Sequence, residues 1–392
     1  MFRFLMRAGL AAALPLAAFA TARAESPAVA CPADPIPCCD FDAAAARPIG
    51  PLRLGFQIWP LHLPSMVEQA SALSPRIVRF SVGPYWRDLP ALPTDADLDG
   101  VRAYVWQALA KDEAAWRAAA AAQHRLEVPG GGPAVERLLI IWEPPLSDID
   151  GPELRVHGSK REARPEAITL NARFYIALIE GARRLGFRVD SVEIANEPDG
   201  AWNMHIPPDI YLDLLFALRR EAANAGVTLP RLAGPGLAFF GSLRQFFSDT
   251  LLAKRILGEV DIVSAHAWDD RLGHDIIAEA KDARGLLDAL GWRDPIMISE
   301  FAPTYPLEED RTLKRGPDQR EGNAGGAPLV SDLRRYAPST TELALALAAA
   351  GFNPLVYWEF MDPPWGTVSY GLLQATGKPR PALRGLARPR SN

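Results

Sequence analysis

Val192-Glu193-Ile194-Ala195-Asn196-Glu197-Pro198 is an apolar, strand-like run that ends in a carboxylate where strand gives way to loop. Ile296-Met297-Ile298-Ser299-Glu300-Phe301 repeats that arrangement later in the chain. Outward from these two motifs, strand-like runs alternate with helical patterns along most of the sequence. Strands are expected at 52–58, 76–80, 137–142, 189–195, 232–235, 261–265, 296–299 and 355–358. Helices are expected at 66–73, 98–123, 167–185, 208–225, 243–257, 275–290 and 340–350. Strands and helices in strict alternation mean parallel βαβ units, and eight of them close into a (β/α)8 barrel. A doubly wound open sheet is the rival architecture. It is disfavoured because no Gly-x-Gly-x-x-Gly follows the first strand. Gly130-Gly131-Gly132 precedes a strand instead of opening a helix, so it reads as a turn.

The chain has 392 residues and a net charge of −5, which gives no support to nucleic-acid binding. Residues 1–24 have the pattern of a secretory signal: Arg3 and Arg7, an apolar run over 8–20, then Ala22-Arg23-Ala24 as a small-x-small cleavage site. That run is too short for a membrane span, and the expected location is secreted or periplasmic. An Ala/Pro-rich arm follows over 25–50, then the barrel over 51–388, with a long charged loop at 303–338 that is expected to act as a lid or subsite loop. The three cysteines, Cys31, Cys38 and Cys39, all fall in the arm. Export makes a disulfide from Cys31 to either Cys38 or Cys39 plausible, with one thiol left over.

Barrel active sites lie at the carboxyl-terminal ends of the strands. The residues at or just past the expected strand ends are Trp59, Arg79, Trp142 with Glu143, Asn196 with Glu197, a Gly-Pro-Gly corner, His266 with Trp268, Glu300, and Trp358 with Glu359. A carboxylate pair in one cleft is what glycoside hydrolysis requires, one group to protonate the leaving oxygen and one to attack or to activate water. Glu197 is the expected acid/base, with its pKa raised by burial and a neighbouring negative charge. Glu300 is the expected nucleophile, held ionised by Arg79, His266 or Tyr305. Asn196 is placed to bond a sugar 2-hydroxyl and His266 a ring hydroxyl. Trp358 is placed to stack on a sugar face, and Trp59, Trp142 and Trp268 to form further subsites. Each has a plain structural alternative: a strand-end ion pair for Glu300 or Arg79, a turn for Asn196, core packing for any single tryptophan. Glu143 and Glu359 are competing carboxylates. No His-x-x-x-His, Cys-x-x-Cys or Gly-x-Ser-x-Gly occurs, so no metal site or serine nucleophile is expected.

The Asn196-Glu197-Pro198 triplet after a strand, with a later strand ending in Glu300, resembles clan A glycoside hydrolases. Residues 260–268 look closest to family 39 of that clan, with family 5 as rival. The resemblance implies a (β/α)8 barrel, an acid/base after Asn at the fourth strand and a nucleophile at the seventh. It also implies a retaining mechanism with carboxyl groups about 5–5.5 Å apart and no cofactor. The expected partner is a carbohydrate, an oligosaccharide or a polysaccharide cut in endo fashion. A carbohydrate-binding barrel without turnover and a transglycosylase are the competing readings.

Overall fold

The computed structural model describes residues 52–83, 92–93, 95–126, 134–141, 161–162, 167–199, 204–269, 276–303, 340, 343–361 and 371–372. The signal, the arm with its cysteines, Trp142, Glu143 and Tyr305 lie outside these, as does all of the expected lid but its first residue, Pro303.

Eight parallel strands form a closed barrel, as the alternation predicts. In chain order the strands are β1 (Leu54–Ile58), β2 (Ile77–Phe80), β3 (Glu136–Ile140), β4 (Arg161–Glu162), β5 (Ser191–Glu193), β6 (Met204–His205), β7 (Arg231–Leu237), β8 (Ile262–Asp269), β9 (Ile296–Pro303) and β10 (Phe352–Tyr357). β4 and β6 pair outside the barrel, a small sheet that no sequence pattern announced. The barrel runs β1-β2-β3-β5-β7-β8-β9-β10 and closes where Leu54 pairs with Leu355.

Around it run α1 (Leu63–Ala72), α2 (Leu98–Leu109), α3 (Glu113–His124), α4 (Ile168–Leu185), α5 (Pro208–Ala225), α6 (Phe240–Phe246), α7 (Thr250–Glu259) and α8 (Ile276–Leu290). Two expected helices are each two helices. The single helix expected at 98–123 breaks at a 3-10 turn, Ala110–Asp112, whose three residues are all exposed. Val105 and Leu109 of α2 lie against Gly181 of α4, whereas α3 packs on α1. One straight rod cannot follow the curved barrel wall to both neighbours. The helix expected at 243–257 likewise breaks, and α7 restarts where the Asp249 carboxylate accepts from the Leu251 and Leu252 amides. Ser248-Asp249-Thr250 holds that N-cap signal in plain view.

Strand alternation produces two separate cores. Val192, Ile194, Val263 and Ile298 face the helices in the large outer core. Ile77, Leu138, Ala233, Ile262, Met297 and Val356, one from each of six strands, form a small core of their own within the barrel. Two residues further along their strands come Arg79, Ser264 and Ser299, all fully buried. The barrel interior therefore turns polar as it approaches its carboxyl-terminal mouth.

Candidate active site

Glu197 reaches that mouth through a sharply bent backbone. Ala195 and Glu197 both have left-handed φ, 65° and 49°, a region that ordinary side chains disfavour. The bend persists because several groups over-determine it. The Tyr175 hydroxyl of α4 accepts from the Ala195 amide at 2.7 Å. The Tyr211 hydroxyl of α5 donates to the Ile194 carbonyl at 3.2 Å. The Glu197 amide donates to Gly236 O at 3.0 Å, and the Asp199 carboxylate accepts from the Ala238 amide at 2.9 Å. Glycine is required opposite: a Cβ at Gly234 would lie 1.9 Å from the Tyr211 hydroxyl, and Gly236 itself has φ +61°. The Gly-Pro-Gly corner of β7 is the mould against which the glutamate loop is formed.

Glu300 is aimed by a different device. It lies inside β9, not beyond it, because that strand runs on to Pro303. By simple alternation from Met297, Ser299 faces inward and Glu300 should face the helices. The β8–β9 register slips between Ala265 and His266, so that Ala265 pairs with Ile298 but His266 pairs with Glu300. The extra residue in β9 re-aims Glu300 inward, beside His266. Arg79 is also inside its strand, the third residue of β2.

The two glutamates, His266, Arg79 and Asn196 thus meet in one buried cluster. Glu197 and Glu300 are 8% and 3% exposed, and His266 and Arg79 are wholly enclosed. His266 Nδ1 lies 2.8 Å from Glu197 Oε1 and 3.5 Å from Glu300 Oε2. One ligand-type atom each from Glu197, His266 and Glu300 fall within 4.8 Å of one another. Arg79 Nη1 donates to Glu300 Oε1 at 2.5 Å, and Nη2 donates to Asn196 Oδ1 at 2.8 Å.

Burial pushes the Glu300 carboxyl above its ordinary value; His266 and Arg79 pull it down, and Glu197 and Glu193 push it up again. Burial works against a charged His266, but the Glu300 charge and the Glu197 hydrogen bond prevail and hold it above the ordinary histidine value. Within the cluster, several carboxylates therefore compete for two cationic partners. Glu197, His266 and Glu300 are also the one set of potential metal ligands among the described residues. A guanidinium already at hydrogen-bonding distance from Glu300 makes this a poor seat for a dication.

Three tryptophans stand at the same mouth. Trp358 lies edge-on to Trp59 at 6.1 Å and to Trp268 at 6.4 Å between ring centroids. The Trp59 indole N–H donates to the Glu359 carboxylate, so Glu359 fixes an aromatic ring. The residue that the sequence motifs did not single out is Glu193. It is fully buried and pairs with Arg79 at 2.9 Å. Its signal was an acidic residue set between the apolar Val192 and Ile194.

No protein-family model and no curated protein matches this chain. Solved structures do. SrfJ from Salmonella typhimurium is similar with a TM-score of 0.60 at 14% identity, covering 86% of this chain and 74% of its own. A GH30 endoxylanase from Clostridium papyrosolvens gives 0.51 at 14% identity, covering 86% and 72%. The GH5_18 structure from Streptomyces cattleya in complex with GlcNAc gives 0.52 at 16% identity, covering 86% and 79%. At these identities the likeness establishes the (β/α)8 barrel fold.

Proposed function

We propose that this protein is a retaining glycoside hydrolase acting on an oligosaccharide or polysaccharide. The observation that carries this reading is the close approach of two buried glutamates, Glu197 just after the fourth barrel strand and Glu300 within the seventh. Their spacing, with one oxygen of each inside 4.8 Å of the other, supports direct attack by one carboxylate over the wider arrangement of an inverting enzyme. Glu300 attacks the anomeric carbon while Glu197 protonates the departing oxygen. Glu197 then takes a proton from water, and that water resolves the glycosyl-enzyme ester. His266 hydrogen-bonds to the acid/base and lies beside the nucleophile, where it moderates the negative charge that both would otherwise share. Arg79 fixes Glu300 and Asn196, and Asn196 is set to bond the sugar 2-hydroxyl. Trp59, Trp268 and Trp358 supply apolar ring faces to sugars in neighbouring subsites.

Within clan A, the solved neighbours named for a family are of GH30 and GH5, so those families stand ahead of family 39 in this proposal. Export is part of the proposal and rests on residues 1–24. Among the described residues no helix is long and apolar enough to cross a membrane.

The test is release of reducing ends from a panel of bacterial and plant glycans by wild type and Glu300→Gln. Release by wild type alone supports the reading and names the substrate class. Equal release by both proteins removes Glu300 from the mechanism. Glycan binding by both without release from any glycan would favour a carbohydrate-binding barrel.

A further inference from the structure

The Arg79 guanidinium is held on every edge. Glu193 Oε2 accepts from the Nε side at 2.9 Å and pairs with Nη2 at 2.9 Å. Nη2 also donates to Asn196 Oδ1, and Nη1 donates to Glu300 Oε1 and, at 3.3 Å, to Gln57 Oε1. A guanidinium has five N–H groups in one plane, and anchoring its Nε–Nη2 edge fixes where Nη1 points. We propose that Glu193 is a positioning residue: it clamps the Nε edge of Arg79 so that the opposite nitrogen meets Glu300, and it shares Arg79's charge so that Glu300 is not bound as one half of a closed ion pair.

This inference rests on the glycosidase reading for its kinetic consequences and on the geometry alone for its electrostatic ones. A carboxylate that an arginine fully neutralises is a weak nucleophile, because its electron pairs are committed to the cation. A carboxylate that shares the arginine with a second anion is held in place and less quenched. Glu193 has the means to do this. Burial opposes its ionisation, but Arg79 above all, then His266 and the Ser299 and Ser264 hydroxyls, keep it below the ordinary carboxylate value. Its second oxygen, Oε1, makes no well-aligned hydrogen bond among the described residues, nor do those two hydroxyls; the serines act on it as nearby dipoles and not as formed bonds. Oε1 also faces Gly236, where a Cβ would stand only 3.0 Å away. The same glycine that moulds the Glu197 loop therefore leaves room for Glu193.

The experiment is a pH titration of carboxyl-labelled glutamates by carbon-13 NMR in wild type, Glu193→Gln and Glu193→Asp, with Glu300→Gln assigning the Glu300 signal, and pH–rate profiles beside it. In Glu193→Gln the Glu300 midpoint should move to lower pH by about one unit, because a neighbouring negative charge is gone. The acid limb of kcat/KM should move with it, and kcat should fall about 10-fold with KM little changed. Glu193→Asp keeps the charge but retreats from Nε, so kcat should fall while the limb stays. A folded Glu193→Gln with an unmoved Glu300 midpoint overturns the proposal, since a purely structural Glu193 predicts that result. If Glu193→Gln does not fold, wild type decides: Glu193 protonated at neutral pH overturns it, and an ionised Glu193 with a slowly exchanging Arg79 Nε–H supports it. A wild type that cleaves no glycan defeats the glycosidase reading, whereas the Glu300 midpoint tests the positioning role independently of turnover.

Discussion

At the amino-terminal mouth of the barrel, Glu136 of β3 accepts from Arg53, from Arg231 at 2.5 Å and from the Ser191 hydroxyl at 3.0 Å. At the carboxyl-terminal mouth, Glu193, Glu197 and Glu300 share Arg79 and His266. One carboxylate among two arginines is electrically satisfied, and its arginines are 40% and 53% exposed, where water completes the solvation. Three carboxylates on an arginine and a histidine, all buried, outnumber their cations, and burial raises the pKa of the Glu300 carboxyl. The first arrangement joins strand starts. The second crowds like charges together, a cost that stability alone would not select.

The largest effect should come from the crowded end. Glu300→Gln should lower kcat by at least about 1,000-fold, and in stopped assays it should look inactive. The same change should not weaken the fold. The folded-state value of Glu300 is raised above its unfolded one, so its ionised form costs stability at pH above the folded value and that cost vanishes as pH falls below the unfolded value. Glu300→Gln should therefore match or exceed wild type in Tm at neutral pH, with the gap closing under acid; a marked drop at pH 7 would show that the Arg79 bond outweighs the burial penalty. Next, Arg79→Lys keeps a charge but loses the planar fork, and should cost about 100-fold to 1,000-fold in kcat/KM, read by initial rates beside circular dichroism to confirm folding.

Gly236→Ala should cost about 1–3 kcal/mol of stability, because φ +61° is disfavoured and the new methyl meets Glu193 Oε1. Denaturant unfolding measures that, and kcat should fall as well. Glu136→Gln at the other mouth should cost about 1–2 kcal/mol, with the exposed arginines limiting the ion-pair share, and should leave kcat unchanged. A change in kcat there would break the contrast between the two ends. Leu251→Ser, at a side chain that is 76% exposed, should alter neither quantity beyond about 0.5 kcal/mol.

Much of this was legible in the sequence. The alternation of strands and helices yields the barrel, and Glu197, Asn196, Glu300, Arg79 and His266 do converge at one mouth, with Trp59, Trp268 and Trp358 beside them. Glu193 stands in the same motif as Glu197, yet period-two alternation says only that it faces inward and nothing about its partner. The two broken helices show the same limit: apolar spacing reports a helix, while the curvature of the wall behind it decides where the helix must end.

What the sequence determined by itself is local: which stretches extend, which coil, and that two apolar runs each carry a glutamate, since backbone propensity and side-chain period act over a few residues. What only the tertiary structure decided is the aim of those glutamates. Arg79 meets Glu193 and Glu300 across separations of 114 and 221 positions, and the slip between β8 and β9 turns Glu300 from the outer face to the inner one. A register is set by two strands packing together, and no single strand can encode it alone.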